Sequence, residues 1–211
     1  MNNSGQRGLC VVVLGPDGAG KSTILNLLAA EPPSWSTGAV LRHLKPSVIH
    51  RQTKDTSDPH GVPPRGLVSS VIKCFYWLFE YSAGYYLYVR PDREAGKLVL
   101  FDRYLLDVLV DSRRYRYGGP KWLTKLLWRV VPKPDLVLLL HAPVDVLLAR
   151  KQELPRDEME RQLTAYVELV RQQRGGQVVD VSGTPSEVVS QLRSIIDTAS
   201  TGKPALELVK A

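Results

Sequence analysis

Gly15-Pro16-Asp17-Gly18-Ala19-Gly20-Lys21-Ser22 lies between a β-branched run, Leu9 to Leu14, and an apolar-periodic segment that starts at Lys21. The octet fits G-x-x-x-x-G-K-[ST] and stands where that pattern must stand, after a strand and at the opening of a helix. Glycines there let successive backbone N–H groups point into one hollow, and the helix start adds partial positive charge. Such a hollow holds the phosphates of a nucleoside triphosphate such as ATP. Lys21 is expected to reach the β- and γ-phosphates and the Ser22 hydroxyl to ligate Mg²⁺, with Gly15, Asp17, Gly18, Ala19, Gly20 and Thr23 completing the binding segment.

A continuous apolar run before the loop predicts a strand buried on both faces of a parallel sheet. Similar runs recur at Leu98 to Phe101, Leu136 to Leu140 and Val178 to Val181. Helical patterns fall between them at Lys21 to Ala30, Leu67 to Val89, Leu105 to Arg113, Pro120 to Val131, Val144 to Arg150, Arg156 to Arg174 and Ser186 to Ala199. Strands alternating with helices predict an α/β three-layer sandwich, here one domain over 1–211 with a core of about 9–198. Six prolines punctuate Glu31 to Gly66, which reads as a long loop region with a short strand near Ser47 to Arg51.

The 28 Lys and Arg outnumber the 21 Asp and Glu, for a net charge of +7, so anionic partners are favoured. Two cysteines exclude a disulfide framework and suit a reducing compartment, and the apolar start is too short for a signal peptide, so a cytoplasmic setting is expected. Lys73 and Glu80 interrupt the most apolar helical segment, which argues against an integral membrane span. No recognisable nucleic-acid-binding module occurs, and the four histidines lack metal-ligand spacing. Asp58-Pro-His-Gly61 matches a GTPase switch pattern, but no N/T-K-x-D base-reading motif accompanies it.

Asp102-Arg103-Tyr104 follows the strand Lys97 to Phe101. Ligands of open α/β sheets gather outside the carboxyl ends of the strands. A carboxylate at that place can hold the metal's water shell or accept the proton of an attacking oxygen, and Arg103 can grip an acceptor phosphate; an ion pair closing the strand is the alternative. Arg150-Lys151-Gln-Glu-Leu-Pro-Arg156 carries three cations between two helices. Residues 150–156 are either a lid that neutralises the transferring phosphoryl group or a solvated charged turn.

Taken together, Leu14-Gly-Pro-Asp-Gly-Ala-Gly-Lys-Ser-Thr23, Asp102-Arg-Tyr104, Pro134-Asp-Leu136 and the Arg150–Arg156 segment resemble the thymidylate kinase family of nucleoside monophosphate kinases, over roughly residues 9 to 198. The resemblance implies a five-stranded parallel sheet of the P-loop nucleoside triphosphate hydrolase fold and phosphoryl transfer from ATP, with Mg²⁺, to a small phosphorylated acceptor such as dTMP. Lys21, Asp102, Arg103, Arg150 and Arg156 would carry the transfer, with Asp102 and Ser22 at the metal. It further implies that Asp17 lies near the acceptor, that adenine lies by Gly183-Thr184-Pro185, and that the chain is a homodimer.

Departures from the family pattern concern the acceptor. Asp107 stands at the place of a family Ser, and Val110-Asp-Ser112 replaces an A-Y-Q-like segment. Tyr81 falls where the family has an arginine on the pyrimidine edge, and Trp77 falls near its stacking phenylalanine. Asp107 and Asp111, four apart, can bind sugar hydroxyls or pair with Arg113, Arg114 and Arg116. Arg113 to Trp122 mixes cations and aromatics in a manner that suits a phosphorylated acceptor or a nucleic-acid patch. Two alternatives therefore stand beside the nucleotide kinase: a kinase of the same fold acting on a nucleoside, sugar or glycan, and a nucleotide-dependent regulatory protein.

Overall fold

A computed structural model describes residues 7–46, 63–152 and 154–202. Five parallel strands form one sheet in the order β2-β3-β1-β4-β5, where β1 is Cys10–Leu14, β2 Ala39–His43, β3 Leu98–Asp102, β4 Leu136–His141 and β5 Gly176–Asp180. The glycine-rich loop thus leaves the central strand, with the carboxyl ends of β3 and β4 on either side of it.

Alternation along the strands sorts the core into two layers. Val11, Val13, Leu98, Leu100, Leu136, Leu138 and Leu140 pack against α1 (Lys21–Ala30), α6 (Val144–Arg150) and α8 (Pro185–Ser200). On the opposite face, Cys10, Val12, Leu14, Val99, Phe101, Val137 and Leu139 pack against α2 (Leu67–Gly84), α4 (Leu105–Val110) and α5 (Lys121–Val130). Helix α7 (Arg156–Arg171) serves both layers, with Met159 and Leu163 in the first and Tyr166 and Val170 in the second. Burial on both faces is the reason the strands read as unbroken apolar runs.

Several expectations need correction. The second strand is Ala39–His43, and the expected strand near Ser47 to Arg51 falls outside the described residues. An edge strand pairs on one side alone, and this one is only partly buried, so Ala-Val-Leu-Arg-His never reads as a continuous apolar run. The helix expected over Leu67 to Val89 ends at Gly84 and continues as a π-helical turn, Tyr85–Val89, before α3 (Arg90–Glu94) with Pro91 in its first turn. Helix α4 stops at Val110 rather than Arg113, because Asp111 leaves helical dihedrals (φ −123°, ψ 72°) and its Oδ1 accepts the Arg114 N–H at 3.1 Å. Asp111 caps the helix one turn beyond Asp107, its N–H donating to the Asp107 carbonyl at 2.9 Å.

Pro134-Asp-Leu136 has a structural role. Asp135 Oδ2 accepts the Cys10 N–H at 2.7 Å, and both its oxygens meet Arg93 Nη2 at 2.6 to 2.7 Å. That buried arginine also donates to the Gly8 carbonyl, so one carboxylate fixes the amino ends of β1 and β4, opposite the site. Both thiols are free and buried, and burial pushes that of Cys10 up to about 12. No described helix is long and apolar enough to cross a membrane.

Candidate active site

The loop after β1 has the geometry of an anion hollow. Gly15 has φ 150° and Gly18 φ 85°, and a Cβ on Gly18 would lie 2.8 Å from the Leu147 carbonyl oxygen, so a side chain there is excluded twice over. Gly20 caps α1 with left-handed dihedrals, no side chain accepts from the helix start, and the first turn holds no acid. Free N–H groups and partial positive charge are therefore left for an anionic ligand. Ser22 and Thr23 are exposed on that first turn.

Lys21 turns back over the loop. Its Nζ donates to the carbonyls of Gly15 and Pro16, each at 2.8 Å, and burial together with the Arg103 charge lowers its pKa to about 8 against the pull of Asp17, Asp107 and Asp102. The ammonium is charged at neutral pH but weakly held, which suits it to a phosphate oxygen.

Register brings the end of β3 to the same loop. Asp102 pairs with Val13 across the β1–β3 ladder, and the Arg103 N–H donates to the Val13 carbonyl at 3.0 Å. Arg103 has φ 70°, unusual outside glycine, and its guanidinium joins two carboxylates: Nη1 meets Asp107 Oδ2 and Nη2 meets Asp17 Oδ1, both at 2.7 Å. The strand-closing pair considered for Arg103 and Asp102 does not form. Asp102 Oδ2 instead faces His43 Nδ1 at 3.5 Å, and its Oδ1 is buried without a hydrogen-bond partner among the described residues. Although burial favours the neutral acid, the His43 hydrogen bond and the Lys21 charge keep the Asp102 pKa below the usual carboxylate range. An ionised, half-satisfied carboxylate beside a phosphate hollow and the exposed Ser22 hydroxyl fits a hydrated Mg²⁺.

Around this core runs a network that spacing gave no reason to assemble. Asp107 is fully buried and accepts from Arg103, from the Tyr115 hydroxyl at 2.5 Å and from the Tyr166 hydroxyl. Arg114 Nη1 takes the second oxygen of Asp17 at 2.5 Å. Burial would raise the Asp17 pKa, but Arg103, Arg114 and Lys21 hold it well below the usual carboxylate range. Tyr166 sits in an ordinary apolar stripe of α7, and Arg114 in a run of arginines, so neither carries a local signal.

Other candidate residues are engaged within the protein. Trp77 and Tyr81 are 3% and 1% exposed. Trp77 meets Tyr115 edge-on and Tyr117 at a tilt, while Tyr81 packs on Tyr104 and donates to the Leu44 carbonyl at 2.6 Å, so both are core residues. Asp107 already accepts from three donors, Arg103, Tyr115 and Tyr166. The Thr184 hydroxyl is spent in a capping box with Glu187 at the start of α8.

The basic segment after α6 is divided. Lys151 lies against the loop, its Cβ 3.4 Å from where a Gly18 Cβ would be. Arg150 Nη2 donates to the Val181 carbonyl at 2.9 Å, past the end of β5. Arg156 is turned away, exposed and paired with Asp145 and Glu160. Asp145 on α6 and Glu160, one turn along α7, hold it at the surface.

Comparison with known proteins identifies the family. The family model for thymidylate kinase matches residues 68–191. The thymidylate kinase of Pseudomonas entomophila is 30% identical over 81% of this chain and 83% of its own length, and that of Xanthomonas euvesicatoria pv. vesicatoria is 28% identical over 96% and 94%. Among solved structures, thymidylate kinases from Candida albicans and Ehrlichia chaffeensis superpose with TM-scores of 0.58 and 0.60 at 18% and 13% identity. They cover 93% and 90% of this chain and 94% and 99% of theirs, a likeness of fold. With the loop, the β3 end and the five-stranded parallel sheet in place, the chain belongs to the thymidylate kinase family of nucleotide kinases.

Proposed function

We propose that this nucleotide kinase transfers the γ-phosphoryl group of ATP to a nucleoside monophosphate of the dTMP kind. The observation that carries the reading is the joint placement of Lys21, Asp102 and Arg103 beside one loop by the β1–β3 register. Ser22 and Asp102 would hold Mg²⁺, which when bound neutralises phosphate charge. Lys21 exchanges its loop carbonyls for phosphate oxygens. The Arg103 fork, preset between Asp17 and Asp107, orients the acceptor phosphate, and Arg114 is the second cation available to it. Transfer then rests on positioning and charge neutralisation. Arg150 lies on the adenine side, and Arg156 joins the lid only after leaving Asp145.

The chain is read as a single kinase domain with a 150–156 lid, while the 31–66 region carries β2 at Ala39–His43 and its residues 47–62 lie outside the described residues. A homodimer fits α2, whose Val68, Ile72, Phe75 and Phe79 recur at spacings of four, three and four and are all more than half exposed. Two buried free thiols suit a cytoplasmic setting.

A second reading, a same-fold kinase for an acceptor without thymine, is favoured by the burial of Trp77 and Tyr81. ADP release from ATP·Mg²⁺ should be followed with a panel of nucleoside monophosphates, nucleosides and sugars. Release dependent on dTMP supports the first reading. Release dependent on a sugar alone supports the second, and a flat response to all acceptors would favour a nucleotide-dependent regulatory protein.

A further inference from the structure

We propose that the outer face of α5 is a docking surface for anionic lipid bilayers, a role independent of the phosphotransfer chemistry. The helix is held by one side alone. Thr124 and Leu127 are buried, Leu123 and Trp128 pack on the second core layer, and the Tyr117 hydroxyl donates to the Pro120 carbonyl at 3.0 Å just before the first turn.

Its other side carries two parallel lines. Trp122, Leu126 and Val130 recur every four residues and are 64%, 47% and 62% exposed. Lys121, Lys125 and Arg129 recur every four residues beside them and are exposed as well. On a helix each line spans about 12 Å, and a shift of one residue sets the cationic line about 100° around from the apolar one. None of these three cations forms an ion pair with a described residue. Ser112 to Pro134 contains no Asp or Glu, while Arg113, Arg116 and Lys133 extend the positive field.

A Trp-led aliphatic line beside a basic line is the composition of a helix lying in the plane of a bilayer surface, with apolar groups at the acyl boundary and cations among phosphate headgroups. Leu126 and Val130 have no use against nucleic-acid bases, which stack on aromatics. A second copy placed isologously on this face would oppose its cations to their own kind.

The test is co-sedimentation of the full chain with phosphatidylcholine vesicles, with and without phosphatidylglycerol. Binding should require phosphatidylglycerol and fall with added salt. Replacing Lys121, Lys125 and Arg129 with Gln should weaken it on the order of a hundredfold, at about fivefold per charge. Trp122→Ser should also weaken it, and thermal unfolding should show each variant folded. The proposal is overturned if phosphatidylglycerol makes no difference, or if the variants bind as the parent does. It is overturned in favour of a subunit interface if Trp122→Ser halves the mass by light scattering. It is overturned in favour of nucleic acid if single-stranded DNA, and not vesicles, is retained and the Gln variant loses it.

Discussion

Arg103 Nη2 lies 2.7 Å from Asp17 Oδ1, joining the end of β3 to the glycine-rich loop through side chains only 6% and 11% exposed. The same guanidinium holds Asp107 on α4, so three elements meet on one cation. Removing it leaves the buried Asp107 with tyrosine hydroxyls but no ion-pair partner, and Asp17 with Arg114 alone. Arg103→Met should cost about 3–5 kcal/mol in urea unfolding, and a second change, Asp107→Leu, should recover part of the loss. Equal stability of Arg103→Met and the parent would show that the network does not hold the site.

Lys21 gives a pH signature. In the unfolded chain it keeps its proton to its ordinary 10.5, and in the folded chain it loses it near 8. Between those values the unfolded state binds more protons, so the contribution of this group to stability rises with pH. Lys21→Met should therefore lower the turnover number at least about a hundredfold without lowering the thermal midpoint at pH 7. ATP binding above pH 8 should take up protons, measured by calorimetry in buffers of different ionisation enthalpy.

Asp102 Oδ1 has no hydrogen-bond partner among the described residues. Asp102→Asn removes the charge and keeps the shape, so the fold should be unaffected while turnover drops by about 100- to 10,000-fold. Titration of activity with Mg²⁺ checks the assignment: an unchanged metal requirement and rate would remove Asp102 from the site.

Arg114 reaches Asp17 from a partly exposed position. If it is the second acceptor cation, Arg114→Gln should raise the acceptor KM about tenfold or more while the ATP KM stays put. Stability should change by less than for Arg103→Met, since water can reach the vacated oxygen.

Thr184 separates a cap from a nucleotide contact. Thr184→Ala should cost about 1 kcal/mol in stability and leave the ATP KM unaltered. A raised ATP KM at unchanged stability would reverse that conclusion.

Local pattern was sufficient where one stretch of chain does one job. Glycines with forced dihedrals, a lysine opening a helix and apolar runs buried on two faces all write their reason into neighbouring residues, as do Gly15 to Ser22 and Leu136 to Leu140. Edge strand Ala39–His43 had no such pattern, because half of it faces outward. Residues 150–156 read as one basic unit, yet Arg156 was decided by Asp145 and Glu160 and Arg150 by a carbonyl beyond β5.

The sequence by itself determined the phosphate loop, the alternation of strands and helices, and the carboxylate and guanidinium at the end of β3. Tertiary structure alone decided what those groups touch. It gave Arg103 to Asp17 and Asp107 rather than Asp102, brought Tyr166 and Arg114 to the site, and buried Trp77 and Tyr81. Spacing along a chain fixes which face a side chain points to. Which distant charge or hydroxyl waits there depends on sheet register and helix packing, and these bring together residues as far apart as Asp17 and Arg114.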